Sequence, residues 1–297
     1  MKKIPLNANI LSISHNDLDG VGCQILLGGI FKNIKYINVS YNTIDKELMN
    51  LEPDDFDYVF VTDISPKIQE VMDKFDNLIL IDHHQTAVNT PEKKRYVNKN
   101  YCATYLVNHF LTKMYGGDKV ARFSKFVKLV NDYDMWIHKY KGSKALNNLY
   151  SLYNADKFRD RFRHGKLSLT KTEKEYLQGL QDKFDKLYDE LIVEEFDHVN
   201  ACWFESDIFV NEIADKLMHD EGYQFVMFNS LKNYKVSIRS IMDDFNFGLY
   251  LKDKDIGGGH KKSAGINAST EDEMTEIVDS LIEDLYEDLP SIRRTED

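Results

Sequence analysis

Three short apolar runs near the N-terminus each end in acidic or imidazole side chains, and this repeat narrows the possible folds. They are N9-I10-L11-S12-I13-S14, running into His15; Y58-V59-F60-V61-T62, running into Asp63; and L78-I79-L80-I81, running into D82-H83-H84. Near-continuous apolar runs of this length suit parallel strands buried on both faces. Helical patterns separate them. One spans residues 21–31, and a second spans 68–75, with Ser65 as its expected N-cap and Pro66 at its first helical position. Strand and helix in alternation predict a doubly wound α/β domain with a mostly parallel sheet. Ligands in such sheets sit beyond the carboxyl ends of the strands, where each run delivers its polar cluster.

Residues 101–136 read as helical, and residues 169–195 as a charged helix with few breakers, expected to connect two domains. Beyond it the order changes. Strand-like segments at 199–204, 223–228 and 234–239 mix with helices at 208–219 and from 270, with a glycine cluster at 257–259. This predicts a smaller α+β domain and a substrate cleft between the two domains. The expected partition is 1–165, a connector 166–196, and 197–297.

Lys and Arg number 38 against 49 Asp and Glu, for a net charge of −11, which argues against broad phosphate neutralisation along a duplex. A few basic groups in one cleft could still hold a short anion. The 3 cysteines, Cys23, Cys102 and Cys202, form no CxxC pair and read as small core residues in a reducing cytoplasm. The N-terminus lacks the apolar stretch of a signal peptide, and no segment is long and apolar enough to span a membrane.

The polar clusters suggest metal chemistry. In extended chain, residues two apart point the same way, so His15, Asp17 and Asp19 could converge, with Gly20 permitting the turn that follows. Carboxylates with imidazole suit Mn²⁺, and carboxylates alone suit Mg²⁺. The alternative is an Asp-rich helix start, since Asp and Asn are favoured N-caps. An EF-hand is excluded because the twelfth loop position counted from Asp17 is Gly28 rather than Glu. Asp63 alone could be a helix cap. His83 and His84, being adjacent, call for different roles. Asp132 and Asp134 close a helix where negative charge is unfavourable, so a positive group nearby is expected.

Together, H15-x-D17-x-D19-G20, Asp63, D82-H83-H84 and Asp132 resemble the DHH phosphoesterase superfamily. G257-G258-G259-H260 followed by A264-G265 resembles the DHH-associated domain of the same superfamily. The resemblance covers nearly the whole chain. It implies a metal-dependent phosphodiesterase of the nanoRNase type that cuts short oligonucleotides or linear dinucleotides to mononucleotides. It also implies two divalent ions, Mn²⁺ favoured over Mg²⁺. His15, Asp17 and Asp63 would hold one; Asp19, Asp63, His83 and Asp132 the other, with Asp63 bridging. Asp134 fits the last acidic position as well as Asp132 does; Asp132 is favoured, with Asp134 orienting a ligand. His84 would face the substrate phosphate, and Asp82 would set the histidine tautomers.

Bare amides in a glycine-rich turn can form an anion-binding concavity. Gly257, Gly258, Gly259 and His260, with Arg239 and Ser240, are therefore the expected substrate-binding residues, Arg239 through bidentate phosphate contact. A P-loop is excluded, because Lys261 precedes Lys262 where glycine is required. Related members act as phosphoadenosine-phosphate phosphatases or cyclic-dinucleotide phosphodiesterases, and these are the alternative activities. A nucleotide-binding sensor is the non-enzymatic one. Inorganic pyrophosphatase is disfavoured by GGGH and the arginine, and a processive RecJ-like exonuclease by size. The expected partners are short single-stranded oligonucleotides or dinucleotides, neither membrane nor long duplex, with a homodimer as an option.

Overall fold

A computed structural model describes residues 3–84, 95–229 and 234–293, the side chain of His260 excepted. The chain divides into two compact units, 1–179 and 180–297.

In the N-terminal unit the elements run β1 (Asn9–His15), α1 (Leu18–Gly28), β2 (Asn33–Val39), α2 (Ile44–Met49), β3 (Tyr58–Thr62), α3 (Gln69–Asp73), β4 (Leu78–Asp82), β5 (Arg95–Val97), α4 (Ala103–Tyr115), α5 (Gly117–Val120), α6 (Ser124–Asp134), α7 (Lys141–Leu152), α8 (Ala155–Phe162) and α9 (Lys171–Asp189). The strands form one sheet in the order β2-β1-β3-β4-β5, and every pairing is parallel. Successive strand residues feed opposite cores, the pleat alternation of a sheet covered on both faces. Ile10, Phe60, Ile79 and Ile81 pack with α1, α4 and α6, whereas Leu11, Ile13, Val59, Val61 and Leu80 pack with residues of α2 and α3. The three apolar runs are β1, β3 and β4, as their composition predicted. Strand β2 was not anticipated, because its residues alternate polar with apolar and are only half-buried.

The order reverses between β1 and β3. The chain leaves β1 for β2 on one side and returns to place β3 on the other, which opens a crevice at the carboxyl ends of those strands. His15 ends β1 and Asp63 directly follows β3.

The expected helix after β3 is shorter than its sequence suggested. It starts at Gln69, and Ser65 does not cap it. Ser65 Oγ instead donates to Asp82 Oδ2 at 2.5 Å, which ties the loop after β3 to the end of β4. Helix α9 opens on a capping box: Thr170 Oγ1 accepts from Glu173 N at 3.2 Å, and Glu173 Oε2 from Thr170 N at 2.7 Å. The boundary between the two compact units falls within α9.

In the C-terminal unit the order is β6 (Val193–Glu195), β7 (Ala201–Glu205), α10 (Val210–His219), β8 (Phe225–Asn229), β9 (Lys235–Ser240), α11 (Phe247–Asp253), β10 (Gly257–His260), β11 (Ser263–Asn267) and α12 (Glu271–Asp288). One mixed sheet runs β10-β11-β9-β8-β7-β6, with only β7 and β8 parallel. Phe225, Met227, Val236 and Ile238 pack on α11 and α12; Cys202, Phe204, Val226 and Phe228 pack on α10 and the end of α9. All three cysteines are buried. No helix among the described residues is long and apolar enough to cross a membrane.

Candidate metal centre

The carboxyl ends of β1, β3 and β4 converge, and the side chains that follow them form one acidic cluster with histidines. Asp17 is the N-cap of α1: its Oδ1 accepts from Gly20 N at 2.9 Å, and its Oδ2 lies 2.6 Å from His15 Nδ1. A Cβ on residue 20 would stand 2.2 Å from the His15 carbonyl oxygen, so glycine is what lets the helix start so close to the strand. Asp19 lies inside the first turn of α1 rather than in extended chain, and it is buried. Its carboxylate accepts from Ala103 N at 2.7 Å and Thr104 N at 2.8 Å, where the N-terminus of α4 favours negative charge.

Asp63 is the centre of the cluster. It is 1% exposed, and neither carboxylate oxygen has a hydrogen-bond partner among the described residues. Its backbone adopts φ 60°, the left-handed region, while its amide is held by the Ile81 carbonyl at 3.0 Å. Local strain of this kind persists only where the surrounding structure over-determines it, and it concentrates at functional sites. His83 Nε2 lies 3.2 Å from Asp63 Oδ1, 3.5 Å from Asp134 Oδ2 and 3.9 Å from Asp19 Oδ2. His15 Nδ1 approaches Asp63 Oδ2 at 3.9 Å on the other side.

Burial and the neighbouring Asp17, Asp19 and Asp134 push the Asp63 carboxyl well above the usual range. Burial, with Asp19, Asp17 and Asp82, does the same to Asp134, whose Oδ2 is also unpaired. Burial and the neighbouring His84 lower the His83 pKa against the pull of the carboxylates, which favours the neutral form through which imidazole ligates metal. Unpaired buried carboxylates around a neutral imidazole are an incomplete arrangement that a divalent cation would complete. Among the described residues, three sets of donor atoms meet the spacing for an ion, each within 4.8 Å: Asp63, Asp82, His83 and His84; His15, Asp17 and Asp63; and Asp19, Cys102 and Asp134.

Asp82 ends β4 and is fully engaged. Its Oδ1 accepts from His83 N at 2.7 Å and from His84 N at 3.2 Å, and lies 2.8 Å from His84 Nδ1. Asp82 thus orients the His84 ring, while it reaches His83 only through the backbone. Burial opposes charge on both partners, but their mutual hydrogen bond and attraction outweigh it, lowering the Asp82 pKa and raising that of His84.

Of the two candidates for the last acidic position, the favoured one lies outside the cluster. Asp132 Oδ1 accepts from Lys139 N at 3.0 Å, and its Oδ2 from Tyr140 N at 3.0 Å and Ser143 Oγ at 2.7 Å. It is the carboxylate that secures the turn from α6 into α7, and the positive group it required is this set of amides and a hydroxyl. Asp134, not Asp132, reaches the cluster. Two positions apart on a helix means about 200° of rotation, so only one of them can face the crevice. Asp132→Ala should therefore lower the melting temperature, leaving three donors without an acceptor at a cost of about 2–4 kcal/mol. Asp134→Ala should leave folding intact and cut Mn²⁺-supported turnover more than about 100-fold. Thermal melts and rates on both variants test this; activity that tracks Asp132 alone would reverse the assignment.

Tyr41 was not anticipated. Its hydroxyl lies 2.9 Å from His84 Nε2, and its ring stands 5.0 Å from that of His15. It follows the end of β2, a strand that leaves no continuous apolar run in the sequence.

In the C-terminal unit, Arg239 is half-buried on β9. Its Nε donates to Asn211 Oδ1 at 3.1 Å, its Nη1 donates to Ile238 O at 2.9 Å, and the guanidinium lies 5.3 Å from the Phe228 ring. One expectation for this region is corrected. Gly257–Gly259 is not a turn but part of edge strand β10, paired with β11. At Gly259, with φ 145°, a Cβ would come 2.7 Å from Ala264 Cα, so the close strand pairing is what demands glycine. Ser240 is 2% exposed, and its hydroxyl donates to Gln224 O and accepts from Met242 N. The register places Arg239 opposite Ser263, and Ser263 opposite position 260. The His260 side chain lies outside the described residues.

A doubly wound parallel sheet with acidic and imidazole side chains gathered at its switch point, followed by a mixed-sheet unit, defines a two-unit α/β protein with a candidate metal centre. No protein-family model matches the chain. Oligoribonuclease NrnB of Bacillus subtilis (strain 168) is 26% identical over an alignment covering 89% of this chain and 73% of that protein. A solved structure of PggH, a pGpG-specific phosphodiesterase from Vibrio cholerae, superposes with a TM-score of 0.61 at 16% identity, covering 94% of this chain and 99% of that one. RecJ from Thermus thermophilus in complex with Mn²⁺ gives 0.57 at 13% identity, covering 97% of this chain and 53% of that one. Motifs, fold and relatives together indicate the DHH phosphoesterase superfamily.

Proposed function

We propose that this chain is a divalent-metal-dependent phosphodiesterase that hydrolyses short oligonucleotides or linear dinucleotides to mononucleotides. The observation that carries this reading is Asp63, a buried carboxylate with both oxygens unpaired among the described residues, set between His15 and His83. The similarity to an oligoribonuclease and to a pGpG-specific phosphodiesterase supports the substrate class.

His15, Asp17 and Asp63 would hold one ion, and Asp19, Asp63, His83 and Asp134 a second, with Asp63 shared. Mn²⁺ suits this mixture of imidazole and carboxylate better than Mg²⁺. A pair of such ions supplies an activated water and neutralises charge on the attacking and leaving oxygens of an in-line displacement. The protein's own groups complete the site. His84, oriented at Nδ1 by Asp82 and met at Nε2 by the Tyr41 hydroxyl, would exchange that hydroxyl for a non-bridging phosphate oxygen and donate to it as negative charge builds there. Asp19 keeps its position because the α4 amides hold it, and the same amides offset its charge.

In the C-terminal unit, Arg239 is the group suited to a terminal phosphate of the substrate, with the glycine strand offering close backbone approach. Arg239→Ala should raise KM for a dinucleotide by roughly 10- to 100-fold with kcat little changed, the pattern of a lost charged hydrogen bond. An unchanged KM would exclude Arg239 from substrate binding.

The decisive experiment offers the Mn²⁺-loaded protein a dinucleotide, a long single strand, a cyclic dinucleotide, phosphoadenosine phosphate and pyrophosphate. The dinucleotide should be cut fastest. Preference for pyrophosphate would overturn the nuclease reading, and no hydrolysis of any would overturn the enzyme reading.

A further inference from the structure

Cys102 is fully buried and packs with the core of the N-terminal unit, where a buried cysteine ordinarily serves as a small apolar side chain. Cys23 fits that role; its sulfur lies 3.8 Å from Thr104 Oγ1 and belongs to no group of metal-capable donors among the described residues. Cys102 is placed differently. It is the residue before α4, whose first amides hold the Asp19 carboxylate. Its own amide donates to Asn131 Oδ1 at 3.0 Å, on the same last turn of α6 that presents Asp134. The consequence is a compact triad: Cys102 Sγ, an Asp19 oxygen and an Asp134 oxygen all lie within 4.8 Å of one another.

A second observation points to a ligand here. Asp134 Oδ2 is buried with no hydrogen-bond partner among the described residues, and it faces His83 Nε2 at 3.5 Å. The same His83 nitrogen is 3.2 Å from Asp63 Oδ1, on a side chain that is 1% exposed and unpaired at both oxygens. Sulfur and oxygen donors on one ion sit about 2.3 and about 2.1 Å from it, hence roughly 3.5 Å from each other.

We propose that Cys102 is a sulfur ligand to the ion held by Asp19, Asp63, His83 and Asp134. This inference rests on the metal centre of the proposed function and adds to it a donor that a purely oxygen and nitrogen site lacks. Binding is a substitution without redox change: the sulfur–metal bond forms as the thiol proton leaves to solvent. A thiolate shifts the preference of the centre towards Co²⁺, Zn²⁺ and Cd²⁺ relative to Mn²⁺ and Mg²⁺. Zn²⁺ added to the Mn²⁺-loaded protein should therefore displace Mn²⁺, and Cys102→Ser should need at least roughly tenfold more Zn²⁺ for the same displacement.

Cobalt gives the direct test on the full chain. Co²⁺ titrated into the metal-free protein, with occupancy counted by elemental analysis, should produce an intense near-ultraviolet sulfur-to-cobalt charge-transfer band. Cys102→Ser should lose the band at unchanged folding, whereas Cys23→Ser and Cys202→Ser should keep it. Cadmium-113 NMR of the unsubstituted protein provides a second reading that needs no variant, since a sulfur-bound ion resonates far downfield of one bound only by oxygen and nitrogen. Full cobalt occupancy with no band, a band that survives in Cys102→Ser, or a cadmium resonance in the oxygen and nitrogen region would each overturn the proposal. Those outcomes would leave the phosphodiesterase reading standing. Failure to bind cobalt at all would overturn both, and a sulfur band in a protein that hydrolyses nothing would overturn only the enzyme reading.

Discussion

Asp63→Asn should yield a protein that is harder to melt without metal and that no longer turns over substrate. The carboxylate is buried, without a hydrogen bond among the described residues, and beside Asp17, Asp19 and Asp134, whose charges oppose its own. Asn keeps the shape, removes the charge and tolerates the left-handed backbone at this position, φ 60°. Relief of one unsatisfied buried group amounts to about 1–3 kcal/mol. That corresponds to a rise of about 2–4 °C in melting temperature per kcal/mol for a unit of this size. Catalysis should move the other way. Loss of the shared ligand removes several kcal/mol of charge stabilisation, and about 4 kcal/mol corresponds to a rate loss on the order of 1,000-fold. Such a trade of stability against activity is what a strained functional residue predicts. Retention of more than roughly a tenth of the parent rate would remove Asp63 from the centre; a lower metal-free melting temperature would show that its strain is repaid by contacts in the folded chain.

The second large effect is the coupling of pH, metal and stability. Asp63 and Asp134 have folded pKa values raised well above the unfolded value of about 3.9. Between the unfolded and folded values the folded chain holds more protons than the unfolded one, so metal-free stability must fall as pH climbs through that window. Asp17, Asp82 and His83 have lowered values, so their contribution is present above the unfolded pKa and is lost on acidification, whereas His84, raised, loses its contribution as pH climbs. Metal-free protein should accordingly be most stable under mildly acidic conditions and weaken towards alkaline pH. Mn²⁺ competes with the protons on Asp63 and Asp134, so its stabilisation should grow over the same range. At a free concentration of 100 times Kd, one ion contributes about 2.7 kcal/mol. Melting curves in chelator and in Mn²⁺, from about pH 5 to about pH 8, measure both trends. A metal-free melting temperature that rises steadily across this range, or a Mn²⁺ shift that shrinks with pH, would contradict the electrostatics of the cluster. Chelation should also abolish turnover at every pH.

Much of the centre is legible in local sequence, because the chemistry lies at the ends of strands whose burial leaves an unmistakable apolar record. Strands β1, β3 and β4 announce themselves as runs of Ile, Leu, Val and Phe, and each runs straight into its functional groups. Strand β2 leaves no such record because its residues are only half-buried, and with it Tyr41 stayed hidden beside His84. Ser65 looked like a cap because a serine before proline after a strand fits that pattern locally. Its hydroxyl is taken instead by Asp82, a partner 17 positions away that no local rule could supply. The glycine cluster similarly suggested a turn, since spacing alone does not reveal that β11 approaches closely enough to require glycine in a paired strand.

The sequence by itself determined the kinds of side chain available, the α/β alternation that brings them to strand ends, and the two-part organisation of the chain. Tertiary structure decided which of them meet. The placement of β1 beside β3 opens the crevice, and that neighbour relation depends on the path of the chain rather than on any residue in either strand. The choice of Asp134 over Asp132 depends on the rotational setting of α6, fixed by the packing of Phe126, Val127 and Val130 against the core. Periodicity records which side chains are buried; which groups share a buried space follows only once the helices and strands have packed.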